Sequence, residues 1–294
     1  MIRYIFLSIF IYAFVGLSVS AFAQTDGYQS EIDKWRADHQ KELLTDDGWF
    51  TVAGLFWLKE GVNTVGSGDG FDVQLTPSFP KGKFGEIDFK GGSATLRVVD
   101  GVDAVSAGKK ISSIDLAGDP AKPAIVQTGS QSFFLIKREE KYGIRLKDKN
   151  NPGRLNFHGL KWYPINPSFR IEASFEAFPT PKEVLIPNVL GSNFKMKSPG
   201  LLHLRVEGKD YTLQPVEDEG KLFIIFRDPT SKAETYGAGR FLYADKAVKG
   251  KVVLDFNKAE NPPCAFTEFA TCPLPPPQNR LDIEIKAGEK RYHD

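Results

Sequence analysis

From residue 30 to 46 the chain reads SEIDKWRADHQKELLTD, and its core-type positions recur at helical spacing. Ile32, Trp35, His39 and Leu43 fall on one stripe, and Ser30 with Asp33 three residues on forms a capping pattern. This predicts a helix closed by Gly48. Beyond it the period drops to two. In KFGEIDFKGGSATLRVVDG, Phe84, Glu86 and Asp88 alternate with Gly85, Ile87 and Phe89, and Gly91-Gly92 supplies a hairpin turn before Leu96 and Val98.

Short runs of the same kind recur at 125–126, 133–136, 144–146, 171–175, 202–206, 222–226 and 252–256, divided by turn residues. Strand–helix–strand alternation is missing, which disfavours a parallel sheet with crossover helices. The expected fold is mainly β. Asn, Pro and Gly gather in residues 148–169, DKNNPGRLNFHGLKWYPINPSF, together with Trp162, Tyr163 and Phe169, so this tract reads as a packed connection. The expected organisation is a leader at 1–23, a helical segment at 24–48, a β unit at 49–150, the connection at 151–169, and a second antiparallel β unit at 170–294.

The leader follows from the first residues, MIRYIFLSIFIYAFVGLSVSAFA. Arg3 precedes an apolar run, and Ala21-Phe22-Ala23 is a small-x-small cleavage pattern, which places the cut before Gln24. An uncleaved membrane anchor is the alternative, because the run is nearly long enough to span a bilayer. With cleavage, export to the periplasm or extracellular space follows, with no stable membrane insertion. Arg3 is the only charged side chain removed, so 38 Lys and Arg become 37, against 37 Asp and Glu. That balance offers no electrostatic case for nucleic acid.

GLFWLKEGVNTVGS, YGAGRFL, LDFNKAENPPCAFTEFATCPLPPPQNRL and AGEK resemble a bacterial family known as domain of unknown function 1684, over essentially the whole mature chain. The family pattern usually has an aromatic residue where this chain has Glu260. The resemblance implies no activity. Residues 61–146 also resemble a forkhead-associated (FHA) sandwich in the order of their landmarks: GVNTVGSGDGFDVQL, a hairpin, GKKISSIDL and GSQSFFLIKR. Those domains bind phosphothreonine through an Arg, a Ser–His pair and an Asn. Here Ser67 stands at the Arg position and PSFPKGKFG carries no His, so the resemblance implies the scaffold without the phosphopeptide site. The expected architecture is an FHA-like β-sandwich, a second antiparallel β unit and one N-terminal helix.

Both cysteines lie in NPPCAFTEFATCPLPPPQNR, among six prolines. In an exported chain an isolated pair such as Cys264 and Cys272 reads as a disulfide. A bridge closing so short a loop stabilises by about 2.5 kcal/mol on the chain-entropy account. A zinc site and a nucleophilic thiol are the alternatives. No histidine lies at ligand spacing from the pair, and no base is visible beside it. No metal or cofactor is expected.

Polar residues around this loop are the candidate site. Strand alternation puts Asp255 and Asn257 on one face, with Asn261 just beyond. Arg240 follows two glycines in YGAGRF, and Asp228 and Arg280 complete a set of carboxylate, amide and guanidinium groups. Converged, they suit a small polar ligand or a protein partner without catalysis. A hydrolase using Asp255 or Asp228 as general acid–base, with Arg240 or Arg280 as clamp, is the alternative. A purely structural network of ion pairs is the third reading. Neither G-x-S-x-G nor H-E-x-x-H occurs.

Overall fold

The computed structural model describes residues 12–118 and 122–293. The expected leader lies outside the described residues over its first eleven positions, and its side chains do so throughout. Helix α1 spans Tyr12–Leu43, so Ser30 lies inside it instead of capping it. Its stripe is the expected one: Ile32 and Leu43 are buried, and Trp35 stacks on His39 with centroids 5.3 Å apart. No described helix is long and apolar enough to cross a membrane.

The rest is mainly β, in several antiparallel sheets. The first unit holds β1 (Val52–Trp57), β2 (Gly61–Ser67), β3 (Val73–Leu75), β4 (Gly82–Lys90), β5 (Ser93–Val98), β6 (Val105–Ser106), β7 (Lys109–Lys110), β8 (Ser113–Asp115), β9 (Val126–Thr128), β10 (Gln131–Arg138) and β11 (Lys141–Asp148). One sheet runs β1-β11-β10-β9-β6-β7 and the other β3-β2-β4-β5-β8. Gly91 and Gly92 make the β4–β5 turn with φ of 55° and 90°, the two positive values that match strand twist. Phe84, Ile87 and Leu96 of one sheet meet Phe133, Ile144 and Leu146 of the other in a common core. Each side chain so buried contributes roughly 1.5–3 kcal/mol.

The second unit begins with a long hairpin, β12 (Arg170–Pro187) and β13 (Asn193–Val206). Pairing slips between Ala177 and Lys182. The intervening Phe-Pro-Thr-Pro explains the slip, since its prolines have no N–H for the ladder. After β14 (Lys209–Leu213), β15 (Val216–Asp218) and β16 (Lys221–Phe226) come β17 (Arg240–Ala244) and β18 (Lys251–Asp255). β12 is flanked by β13 and β18, and β16 by β15 and β17. β16 is buried on both faces. Leu222, Ile224 and Phe226 enter the core of this unit, while Phe223 and Ile225 pack with Phe241, Ala270 and Cys272 under the proline loop.

Candidate functional site

After β18 the chain has no further strand, so its backbone polar groups need other partners. Asp228 and Arg240 supply several. Arg240, 1% exposed, donates from Nη2 to Asp228 Oδ1 at 3.2 Å and to the Ile285 carbonyl at 2.9 Å, and from Nη1 to the Ala287 carbonyl. Asp228 Oδ2 accepts the Ile285 N–H at 2.8 Å. Burial lowers the pKa of Arg240 and Asp228 raises it, with burial the larger effect. The pair therefore clamps the C-terminal segment from behind and does not face a cleft. Arg280 is exposed, bridging to Arg227 through backbone.

Asp255 and Asn257 do come together, although not by strand alternation. β18 ends at Asp255, whose side chain caps a short 3-10 turn by accepting the Asn257 N–H at 3.1 Å. Tyr28 of α1 donates its hydroxyl to Asp255 at 2.8 Å, and Asn257 Nδ2 donates to that hydroxyl at 3.0 Å. Asn261 belongs to a different cluster. Its N–H and Nδ2 donate to the two oxygens of Glu289 at 2.9 and 2.8 Å. The six candidates thus divide into separate networks, and of them only Asp255 and Asn261 line the cleft described next.

The disulfide expectation needs correcting: Cys264 and Cys272 are free thiols. The 3-10 turn Pro263–Ala265 aims the Cys264 N–H at Cys272 Sγ, 3.1 Å away, so the sulfur accepts a hydrogen bond. The loop is held by neighbours. Tyr236 donates to the Cys264 carbonyl at 3.0 Å, Val189 N–H to the Cys272 carbonyl at 3.1 Å, and Arg138 Nε to Thr271 Oγ1 at 2.8 Å. Phe266 packs on Phe50 and Tyr292.

Between α1, this loop, the tip of the β12–β13 hairpin and β16–β17 lies a cleft of about 1380 Å³. Phe223, Phe241, Tyr243 and Met196 are among its apolar lining, and Asp255, Glu260 and Arg138 among its polar lining. Tyr243 stacks on Phe223 with planes 12° apart.

One wall holds His39 and Glu260, with the fully buried Glu289 behind them, a group that sequence reasoning missed. Glu260 is fixed by two backbone hydrogen bonds with Phe241, both 2.9 Å. Its Oε2 lies 3.4 Å from His39 Nδ1, and Glu289 Oε2 lies 3.7 Å from His39 Nε2. Burial, reinforced by Glu289 and Glu42 and opposed by His39, pushes Glu260 up to about 7. Burial works against the imidazolium of His39, yet Glu289 and Glu260 outweigh it and raise its pKa. The signal for His39 was a titratable side chain on the buried stripe of a helix. Glu260 was visible only as a departure from the family pattern.

Another wall carries Arg138, which shares the outer face of the β10–β11 ladder with the buried Arg145: Phe134 pairs with Arg145 and Arg138 with Lys141. Arg145 is 5% exposed, its Nε has no partner, and its one hydrogen bond among the described residues reaches the Phe269 carbonyl at 3.4 Å. Its guanidinium lies 5.2 Å from the centre of the Trp49 ring. Burial, with Arg138 adding, lowers it to about 10. Among the described residues neither arginine forms an ion pair with a carboxylate.

No curated protein matches the chain. Among solved structures, it is similar to the solution NMR structure of an uncharacterized protein of Haloarcula marismortui, at 28% identity and a TM-score of 0.40, over 47% of this chain and 78% of that one. Residues 155–290 match the model of a family described as "Protein of unknown function (DUF1684)". The family match therefore covers the second β unit and most of the connection before it, and not the whole mature chain.

Proposed function

We propose that this is an exported, non-catalytic binding protein whose cleft takes a small ligand with an apolar or aromatic body and polar ends. The observation that carries the reading is the pairing of an aromatic floor, Phe223, Phe241 and Tyr243, with carboxyl and guanidinium groups on the walls of one cavity. Ligand sites combine apolar lining with a few placed polar groups in this way. The proline loop forms part of that wall, so the binding surface lies beside it. Export rests on the leader pattern of residues 1–23.

Saturable thermal-shift binding of small amphipathic molecules to the mature chain, weakened by Phe241→Ala, is the expected result. No binding from a broad amphipathic set would sink the reading. Fractionation of cells expressing the full chain should place it outside the cytoplasm.

One observation favours a second reading, acid–base hydrolysis. Glu260 is held near neutrality beside His39, a better-placed pair than Asp228, which is committed to Arg240. Turnover of chromogenic esters or glycosides that Glu260→Gln abolishes while binding persists would select it. For the first unit we keep an FHA-like scaffold without a phosphothreonine site. Ser67, which stands at the Arg position, is buried and donates to the Thr76 carbonyl at 3.2 Å. Binding of phosphothreonine peptides to the mature chain would overturn that reading.

A further inference from the structure

Among the described residues, the buried Arg145 and the half-buried Arg138 beneath the proline loop have no carboxylate partner, which a buried guanidinium ordinarily requires. Removing such a charge from water costs several kcal/mol unless an opposite charge or a full set of hydrogen bonds compensates it. Arg240, whose Nε is likewise without a hydrogen-bond partner, has its compensation at the Nη groups: one carboxylate and two carbonyls. Arg145 is almost as deeply buried and has one long hydrogen bond and an orphaned Nε. Arg138, on the same sheet face, uses Nε on Thr271 and Nη1 on its neighbour's carbonyl at 2.8 Å. The nearby Glu139 is engaged elsewhere, accepting from Asn188 Nδ2 at 3.3 Å.

The cysteines do not resolve the imbalance. The Cys264 thiol is pushed down chiefly by its hydrogen bond with Cys272, while Cys272 is pushed up by the same contact. One thiolate offsets one of two positive charges at most. Among the described residues the other charge still lacks a counterion.

We propose that Arg138 and Arg145 form the anion-receiving end of the cleft, taking the carboxylate or phosphate of its ligand. Arg138 lines the cavity beside Thr271 and would touch the oxyanion. Arg145, held behind it under Trp49, adds positive potential where water is scarce. The ligand class is then an amphipathic acid: an aromatic or apolar body over Phe223 and Phe241, with an oxyanion at the loop. This rests on the cleft being a ligand site and names the charge of what enters it.

The test compares 3-phenylpropionate, phenyl phosphate and the uncharged 3-phenylpropionamide by thermal shift and calorimetry on the mature chain. At least one acid should bind ten-fold or more tightly than the amide, with the preferred acid showing whether the group is carboxylate or phosphate. Arg138→Met should erase that preference, and Arg138→Lys should restore part of it, since a point charge replaces the fork. If the amide binds as well as both acids, the anion site is overturned and the cleft reading survives. Should none of the three bind, replacing chloride by inorganic phosphate at constant ionic strength reads the arginines alone. A Tm rise present in wild type and lost in Arg138→Met upholds them while the aromatic cleft reading falls. An equal rise in both proteins is general salting and, like no rise at all, overturns the site.

Discussion

His39 in α1 and Glu260 beside the proline loop face each other with Nδ1 and Oε2 3.4 Å apart, although most of the chain separates them in sequence. Glu289 closes the other side of the ring at 3.7 Å, from an isolated β-bridge with Trp162. One imidazole therefore ties the N-terminal helix to both ends of the irregular C-terminal segment.

This arrangement makes stability depend on pH. Glu260, 19% exposed, has its pKa raised to about 7 from the usual 4.5, and His39 is raised as well. Both bind protons more tightly when folded: the contribution of Glu260 is full below pH 4.5 and lost as pH climbs through about 7, while that of His39 is full below its ordinary 6.5 and lost at higher pH. Because the groups interact, a single broad transition is expected. Glu260→Gln should flatten the decline of Tm between pH 5 and 8 and stabilise the protein at pH 8 by on the order of 2 kcal/mol. Urea titrations at the two pH values check it, and an undiminished decline in the variant would count against the assignment.

Arg240 and Asp228 behave differently, because their charges are matched. Asp228→Ala leaves a buried guanidinium with carbonyls alone and should cost about 3–5 kcal/mol by urea denaturation. The double variant Asp228→Ala/Arg240→Met should cost less than the two single changes added together. Strict additivity would mean the pair is not coupled.

Tyr28 fastens α1 to the end of β18, its hydroxyl meeting Asp255 at 2.8 Å and Asn257 at 3.0 Å. Tyr28→Phe should cost about 1–2 kcal/mol. Hydrogen exchange should quicken in residues 28–33 with the β unit unaffected. Equal protection in both proteins would show that packing alone holds this part of the helix.

Gly288 positions Glu289. Its φ is +79°, and an added Cβ would stand 2.5 Å from the Ala259 carbonyl oxygen. Gly288→Ala should destabilise by more than about 2 kcal/mol, combining backbone strain with the clash. If Glu289 is displaced, the His39 pKa measured by NMR should fall. A destabilised variant with His39 unchanged would separate the glycine from the histidine.

The mainly β class, the buried stripe of α1 and the β4–β5 hairpin could be read from the residues alone, because each rests on a local rule: a period of 3.6, a period of two, or a glycine pair at a turn. The sequence also brought Asp255 next to Asn257, since residues two apart meet in a strand or in a capped turn alike. Long-range packing is what makes Asp228 and Arg240 clamp the C-terminal backbone, leaves Cys264 and Cys272 as thiols, and brings His39 to Glu260 and Glu289. These depend on which distant segments pack together and on how much water burial removes. Arg145 shows the limit most plainly: in sequence it is one charged residue in an alternating strand, and only the loop laid over that strand takes its charge out of water with no carboxylate beside it among the described residues.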